Sequence, residues 1–184
     1  MHSGDNTHHK TFSSYNDDEG AEQRDPASGY NKESETATQP GDRAPEAPGL
    51  VDVRSTSVTL SLFGIFAPSV HTVLVFAGGN GSGSGNSDTL RALSGVIVQQ
   101  PESAVRGVLI VSPESEMESR GAGLFEQVLV DRDGHAHAGY NVPVGSGEKV
   151  TVVVVRPDGF IGARVHNATG IERYFGCIFA SGSK

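Results

Sequence analysis

Hydrophobic positions fall into short blocks after residue 50 and hardly anywhere before it. The strongest block, Val150-Thr-Val-Val-Val-Val155, is a near-continuous β-branched run. Such a run predicts a strand buried on both faces, because alternation is expected only where one face meets water. Arg156-Pro157-Asp158-Gly159 follows with turn chemistry: Pro157 presets φ, Asp158 can bond its own backbone, and Gly159 tolerates positive φ. Phe160 to Val165 returns as the second strand of a hairpin. Val73 to Phe76 and Val108 to Val111 predict two more buried strands, and Phe125 to Val130 a further short one. Val58, Leu60 and Leu62 alternate loosely as a short strand, whereas Phe63 to Phe66 could instead start a helical turn.

Helical spacing occurs twice. Leu90, Leu93 and Val96 or Ile97 share a face behind Asp88, a good N-cap. Ile171, Tyr174, Phe175, Ile178 and Phe179 form one apolar stripe, with Thr169 and Glu172 spaced as a capping box at its start. Asp131-Arg-Asp-Gly134 turns the chain, and His135 to Tyr140 follows as a short helix. Gly78 to Ser87 is a flexible loop by composition, and Pro113 to Glu118 is an acidic loop. A β-α-β start implies parallel pairing, while a four-residue turn implies antiparallel pairing, so the sheet should be mixed. A mixed central sheet flanked by helices, closing on a hairpin and a helix, predicts a thioredoxin-like α/β fold.

Composition adds a boundary. Residues 1–49 carry ten acidic against four basic residues, six of the eight net negative charges. Phe12, Tyr15 and Tyr30 stand alone there among polar residues. Such a segment cannot offset an ordering cost of roughly 1–2 kcal/mol per residue. We therefore expect a disordered acidic tail over 1–49, ending in a Pro-rich linker or extended arm over 39–49, and one domain over 50–184. No basic stripe invites nucleic acid or a membrane surface, and no apolar run approaches the roughly 20 residues that span a bilayer. A single cysteine, with no charged-then-apolar leader pattern, suits a reducing, cytoplasmic setting.

Candidate chemistry is sparse. Disulfide exchange needs two cysteines at Cys-x-x-Cys spacing, and the stretch after the first buried strand holds Gly, Ser and Asn instead. Cys177 is expected as a small thiol packed near the core between Phe175 and Phe179. His135 and His137 could share one strand face around a metal, but not one helix face; His71 and His166 are scattered. Asp131, Asp133 and Asp158 sit in turn chemistry, where bonding to backbone amides is the ordinary role. Ser112 and Ser115 lack a nucleophile context. Arg156 and Arg164 end adjacent hairpin strands as solvated edge charges. The glycines of Gly78 to Gly85 fall outside the dinucleotide register. No catalytic, cofactor-binding or metal-ligating residue is assigned.

Two longer motifs carry a family resemblance. Val128-Leu-Val-Asp131-Arg-Asp133-Gly134-His-Ala-His137-Ala-Gly-Tyr140-Asn-Val142, followed by Val153-Val-Val-Arg156-Pro157-Asp158-Gly159-Phe160-Ile161-Gly162, resembles the C-terminal domain of the phenol hydroxylase family. Ile171-Glu-Arg-Tyr174-Phe175 is similar to that domain's last helix, and Pro40-Gly41-Asp42-Arg43-Ala44-Pro45 to the segment leading into it. The family comprises FAD-dependent aromatic monooxygenases whose thioredoxin-like third domain contributes to dimerisation. The resemblance implies a dimerisation-type assembly module without catalysis of its own, forming a homodimer or docking on a flavoprotein monooxygenase. The alternative it implies is a detached part of an FAD- and NADPH-dependent enzyme whose FAD domain is missing; this chain would bind neither cofactor.

Overall fold

The continuous apolar runs form the middle of a seven-stranded sheet. The computed structural model describes residues 37–77, 84–113, 123–144 and 150–179. Its strands are β1 (Leu50–Asp52), β2 (Ser55–Leu60), β3 (His71–Phe76), β4 (Val105–Val111), β5 (Gln127–Asp131), β6 (Thr151–Val155) and β7 (Ile161–Val165). Their order across the sheet is β2-β1-β5-β4-β3-β6-β7. The helices are α1 (Leu62–Ile65), α2 (Ser84–Val98), α3 (His135–Gly139) and α4 (Ala168–Phe179). Pairing is mixed as expected: β3–β4 and β4–β5 are parallel, whereas β3–β6 and β6–β7 are antiparallel.

Side chains alternate between two cores. Val73, Val75, Leu109, Val111, Val128, Val152 and Val154 face α2 and α4, where Leu90, Leu93, Ile171 and Phe175 cover them. Leu74, Phe76, Val108, Ile110, Leu129, Val153 and Val155 face α1, α3 and residues Ala44 and Ala47. Cover on both faces is why β3, β4 and β6 read as unbroken apolar runs rather than alternating ones.

The hairpin turn has the geometry its residues predict. Gly159 N–H donates to the Arg156 carbonyl at 2.9 Å and Arg156 N–H to the Phe160 carbonyl at 2.8 Å. Gly159 takes φ of +80°, which a β-carbon would penalise.

Several expectations shift. Residues 39–49 run as an arm packed along the hairpin: Gly41 N–H reaches the Ile161 carbonyl at 2.8 Å and Ala44 N–H the Gly159 carbonyl at 2.9 Å. Ala37, Ala44 and Ala47 are buried, so packing begins ahead of the boundary drawn at residue 50. Residues 1–36 of the expected tail, 78–83 of the glycine loop and 114–118 of the acidic loop lie outside the described residues. Helix α2 already runs from Ser84, which puts Asp88 inside it rather than at its cap. Asn167, not Thr169, caps α4: its Oδ1 accepts the Gly170 N–H at 2.9 Å. Ile178 is largely outside the core, at 40 % exposure, because Tyr174, Phe175 and Phe179 already fill the contact with His71.

Candidate functional site at the carboxyl ends of the parallel strands

Strands β3, β4 and β5 run the same way, so Phe76, Val111 and Asp131 end along one edge of the sheet. Ligands of open α/β sheets favour that edge, and α2 starts from it. The residues linking β3 to α2 and opening the helix are Gly78-Gly-Asn-Gly-Ser-Gly-Ser-Gly-Asn-Ser-Asp88, with no cysteine among them.

The ionisable side chains buried near this edge are committed to α3, beside the buried but non-ionisable Asn86, Ser112 and Thr151. Asp131 and His137 are 1 % and 3 % exposed, and His137 Nδ1 lies 2.7 Å from Asp131 Oδ2. The same Oδ2 accepts the His137 backbone N–H at 2.9 Å. Burial alone would raise the Asp131 carboxyl. Donation from the His137 ring, the His137 N–H and the Ala136 N–H outweighs it and holds the group below the usual carboxylate range. The His137 ring meets Phe76 edge-on at 5.5 Å, and Phe76 in turn contacts Tyr140 at 5.4 Å. Tyr140 is fully buried and its hydroxyl donates to the Pro45 carbonyl at 3.0 Å. Burial, with the Glu46 charge adding to it, pushes that phenol well above its ordinary value.

Arg164 closes the other end of α3. Its Nη1 donates to the Tyr140 carbonyl at 2.8 Å and to Thr38 Oγ1 at 3.2 Å, and Nη2 to the Asn141 carbonyl at 3.3 Å. At 2 % exposure it is a buried charge and not the solvated edge residue expected. It satisfies carbonyls that a helix end leaves without partners. Asp131, His137 and Arg164 therefore form a brace around one short helix.

The remaining candidates are dispersed. His135 is exposed while His137 is buried, so the pair faces no common site. His166 Nδ1 lies 3.0 Å from the Val150 carbonyl. Burial lowers the His71 pKa, and its ring packs edge-on against Tyr174, Phe175 and Phe179. Arg156 is exposed and pairs with Asp158 across the hairpin turn. Asp133 is exposed, Ser112 is buried, and Ser115 lies outside the described residues. Cys177 is exposed, contrary to the packed thiol expected. It stands two residues from both Phe175 and Phe179, and on a helix such neighbours face away from each other. Among the described residues no group of three or more His, Cys, Asp or Glu could hold a metal ion. Nor, among them, is any helix long and apolar enough to cross a membrane.

No family model and no curated protein matches the chain. Solved structures do. The thioredoxin domain of a thiol-disulfide oxidoreductase from Bacteroides vulgatus is similar with a TM-score of 0.60 at 13 % identity, covering 77 % of this chain and 99 % of that one. The reduced 2-Cys peroxiredoxin of Plasmodium vivax gives 0.56 at 18 % identity over 78 % and 98 %. Yeast Sco1 with copper bound gives 0.55 at 10 % identity over 78 % and 91 %. At such identities the likeness establishes the fold: the chain is thioredoxin-like.

The resemblance to the phenol hydroxylase C-terminal domain is corrected by these findings. The similar structures include thiol-disulfide oxidoreductases, peroxiredoxins and Sco1, and none of these is a phenol hydroxylase domain. The implied dimerisation module of a flavin monooxygenase goes with it. The motifs behind the resemblance have a physical explanation in the fold itself. Arg156 to Gly159 meets the needs of a tight hairpin, Asp131 to Tyr140 holds α3, and Ile171 and Phe175 form the buried face of α4. These requirements specify an architecture and not a family.

Proposed function

We propose that this chain is a binding protein on a thioredoxin-like scaffold, without thiol-disulfide or peroxidase chemistry. One observation carries the reading: residues 78–88, which lead from β3 into α2, contain no cysteine. Reactive thiolates are favoured at helix N-termini, where backbone N–H groups stabilise the anion. The chain's cysteine is instead exposed in the last turn of α4. The buried ionisable groups near the carboxyl edge offer no substitute, since Asp131, His137 and Arg164 are spent on α3. A cytoplasmic setting belongs to the same proposal and rests on the single cysteine. So does the absence of FAD, NADPH or any other cofactor.

Hydrogen peroxide consumption coupled to a dithiol tests the reading. Rates with the purified chain should match the dithiol alone, and the protein should be colourless at flavin wavelengths. Cysteine-dependent turnover, or bound flavin, would overturn it.

Self-association is a second element of the proposal. The edge strand β2 reads Ser55-Thr-Ser-Val-Thr-Leu60, with neither the charge nor the proline that commonly blunts an open edge, and Val58 is 55 % exposed. Light scattering at tens of micromolar should detect a dimer that Val58→Lys weakens. A strict monomer at that concentration counts against it.

A further inference from the structure

Strand β2, at one end of the sheet, and helix α1 together present an uncharged face. The residues from Ser55 to Val70 include no Asp, Glu, Lys, Arg or His, although the chain carries a net charge of −8. The ladder with β1 slips between Val51, opposite Thr59, and Asp52, opposite Ser55, so residues 56–58 stand off it. Val58 is accordingly 55 % exposed. On α1, Phe63 is 50 % exposed and its ring lies 6.1 Å from that of half-buried Phe66. Leu60 and Phe66 pack against the same core, so strand and helix share one side of the sheet. Two charges border this face at opposite ends of β2. Arg54 precedes the strand and donates to the neutral carbonyls of Glu126 and Phe125. Glu46 stands past the other end, where its Oε1 accepts the Phe63 N–H at 3.1 Å. Asp52 is taken up by the Arg54 backbone N–H at 2.8 Å and by Gln127 Nε2 at 3.3 Å.

We propose that this face joins two copies of the chain about a two-fold axis passing near Val58. Exposed apolar side chains gathered on one face gain by being covered. Two copies of a chain with net charge −8 repel in most approaches, and repulsion is least where the facing surfaces carry no charge. The rim selects the orientation. A two-fold reverses β2 from one copy to the next, so Arg54 of each copy comes to the end where Glu46 of the other stands. A parallel alignment would instead set Arg54 against Arg54 and Glu46 against Glu46. The inference rests on the self-association read from β2, and gives that contact its second element, α1, and its symmetry.

The test is sedimentation velocity of the full chain over a concentration series, with melting curves to verify that each variant is folded. Val58→Lys and Phe63→Lys should each raise the dimer dissociation constant by at least roughly tenfold. Both side chains are half-exposed or more, so the fold should tolerate either change. Arg54→Glu and Glu46→Lys should each weaken the dimer roughly threefold. An equimolar mixture of those two variants should dimerise more tightly than either alone, because both rim pairs of the mixed dimer are again opposite in sign. A dimer indifferent to Phe63→Lys, or a mixture no tighter than its components, would overturn this interface. A chain that stays monomeric throughout would overturn the self-association reading instead, so the two failures are distinct.

Discussion

Replacing Asp131 with alanine tests the brace around α3. The carboxylate is 1 % exposed and its Oδ2 takes two hydrogen bonds, from His137 Nδ1 at 2.7 Å and the His137 N–H at 2.9 Å. Asp131→Ala leaves both donors without that acceptor in a site closed to water. Each buried donor so stranded costs about 1–3 kcal/mol, giving roughly 2–6 kcal/mol together. That is a large share of the roughly 5–15 kcal/mol that holds a domain folded. At about 2–4 °C per kcal/mol for a chain of this size, the melting temperature should fall by roughly 4–24 °C. Urea unfolding followed by far-ultraviolet circular dichroism measures the loss. Acid supplies the control. The folded carboxyl titrates below its unfolded value, so its stabilisation is fully present above the usual carboxylate range. It is lost as pH falls through the folded pKa, and the gap between wild type and Asp131→Ala should close there. A loss below about 1 kcal/mol at neutral pH, or a gap that widens in acid, would refute the reasoning.

Three further outcomes are expected. Arg164→Met should cost about 2–4 kcal/mol, since three hydrogen bonds to Tyr140, Asn141 and Thr38 disappear, and hydrogen exchange should show faster opening around residues 138–142. Gly170→Ala should destabilise by roughly 1–3 kcal/mol despite alanine's better helix propensity, because its β-carbon would meet Val165 Cβ at 2.7 Å; a gain in melting temperature would contradict the close packing of α4 on β7. The lowered pKa of His71 means the unfolded chain binds its proton more readily, so stability should decline as pH drops from about 6.5 through the folded pKa. His71→Phe should remove that part of the pH dependence in denaturation curves.

The elements that the chain announced most clearly were those buried on both faces. Val73 to Phe76, Val108 to Val111 and Val150 to Val155 could be placed because only a sandwiched strand tolerates such runs. Strand β1 was not foreseen: Leu50–Asp52 is too short for a period, and its pairing with β5 spans some eighty residues of chain. The Asp131–His137 contact was hidden for a related reason. Six residues and a turn separate the pair, so no helical or strand spacing marks it, and turn chemistry accounted for the aspartate. Arg164 carried a faint signal in its place between Ala163 and Val165, both buried in a strand. Cys177 was misread as a packed thiol, although it lies off the apolar stripe of its own helix and exposure follows from that position. The family-like motifs misled because the turn, the brace and the helix face each answer to local packing in this chain.

Insulin reduction in dithiothreitol, with a Cys-x-x-Cys thioredoxin as positive control and Cys177→Ser alongside the native chain, tests the central claim most directly. Precipitation should proceed at the rate of dithiothreitol alone for both proteins. Catalysis by the native chain that disappears in Cys177→Ser would contradict the account.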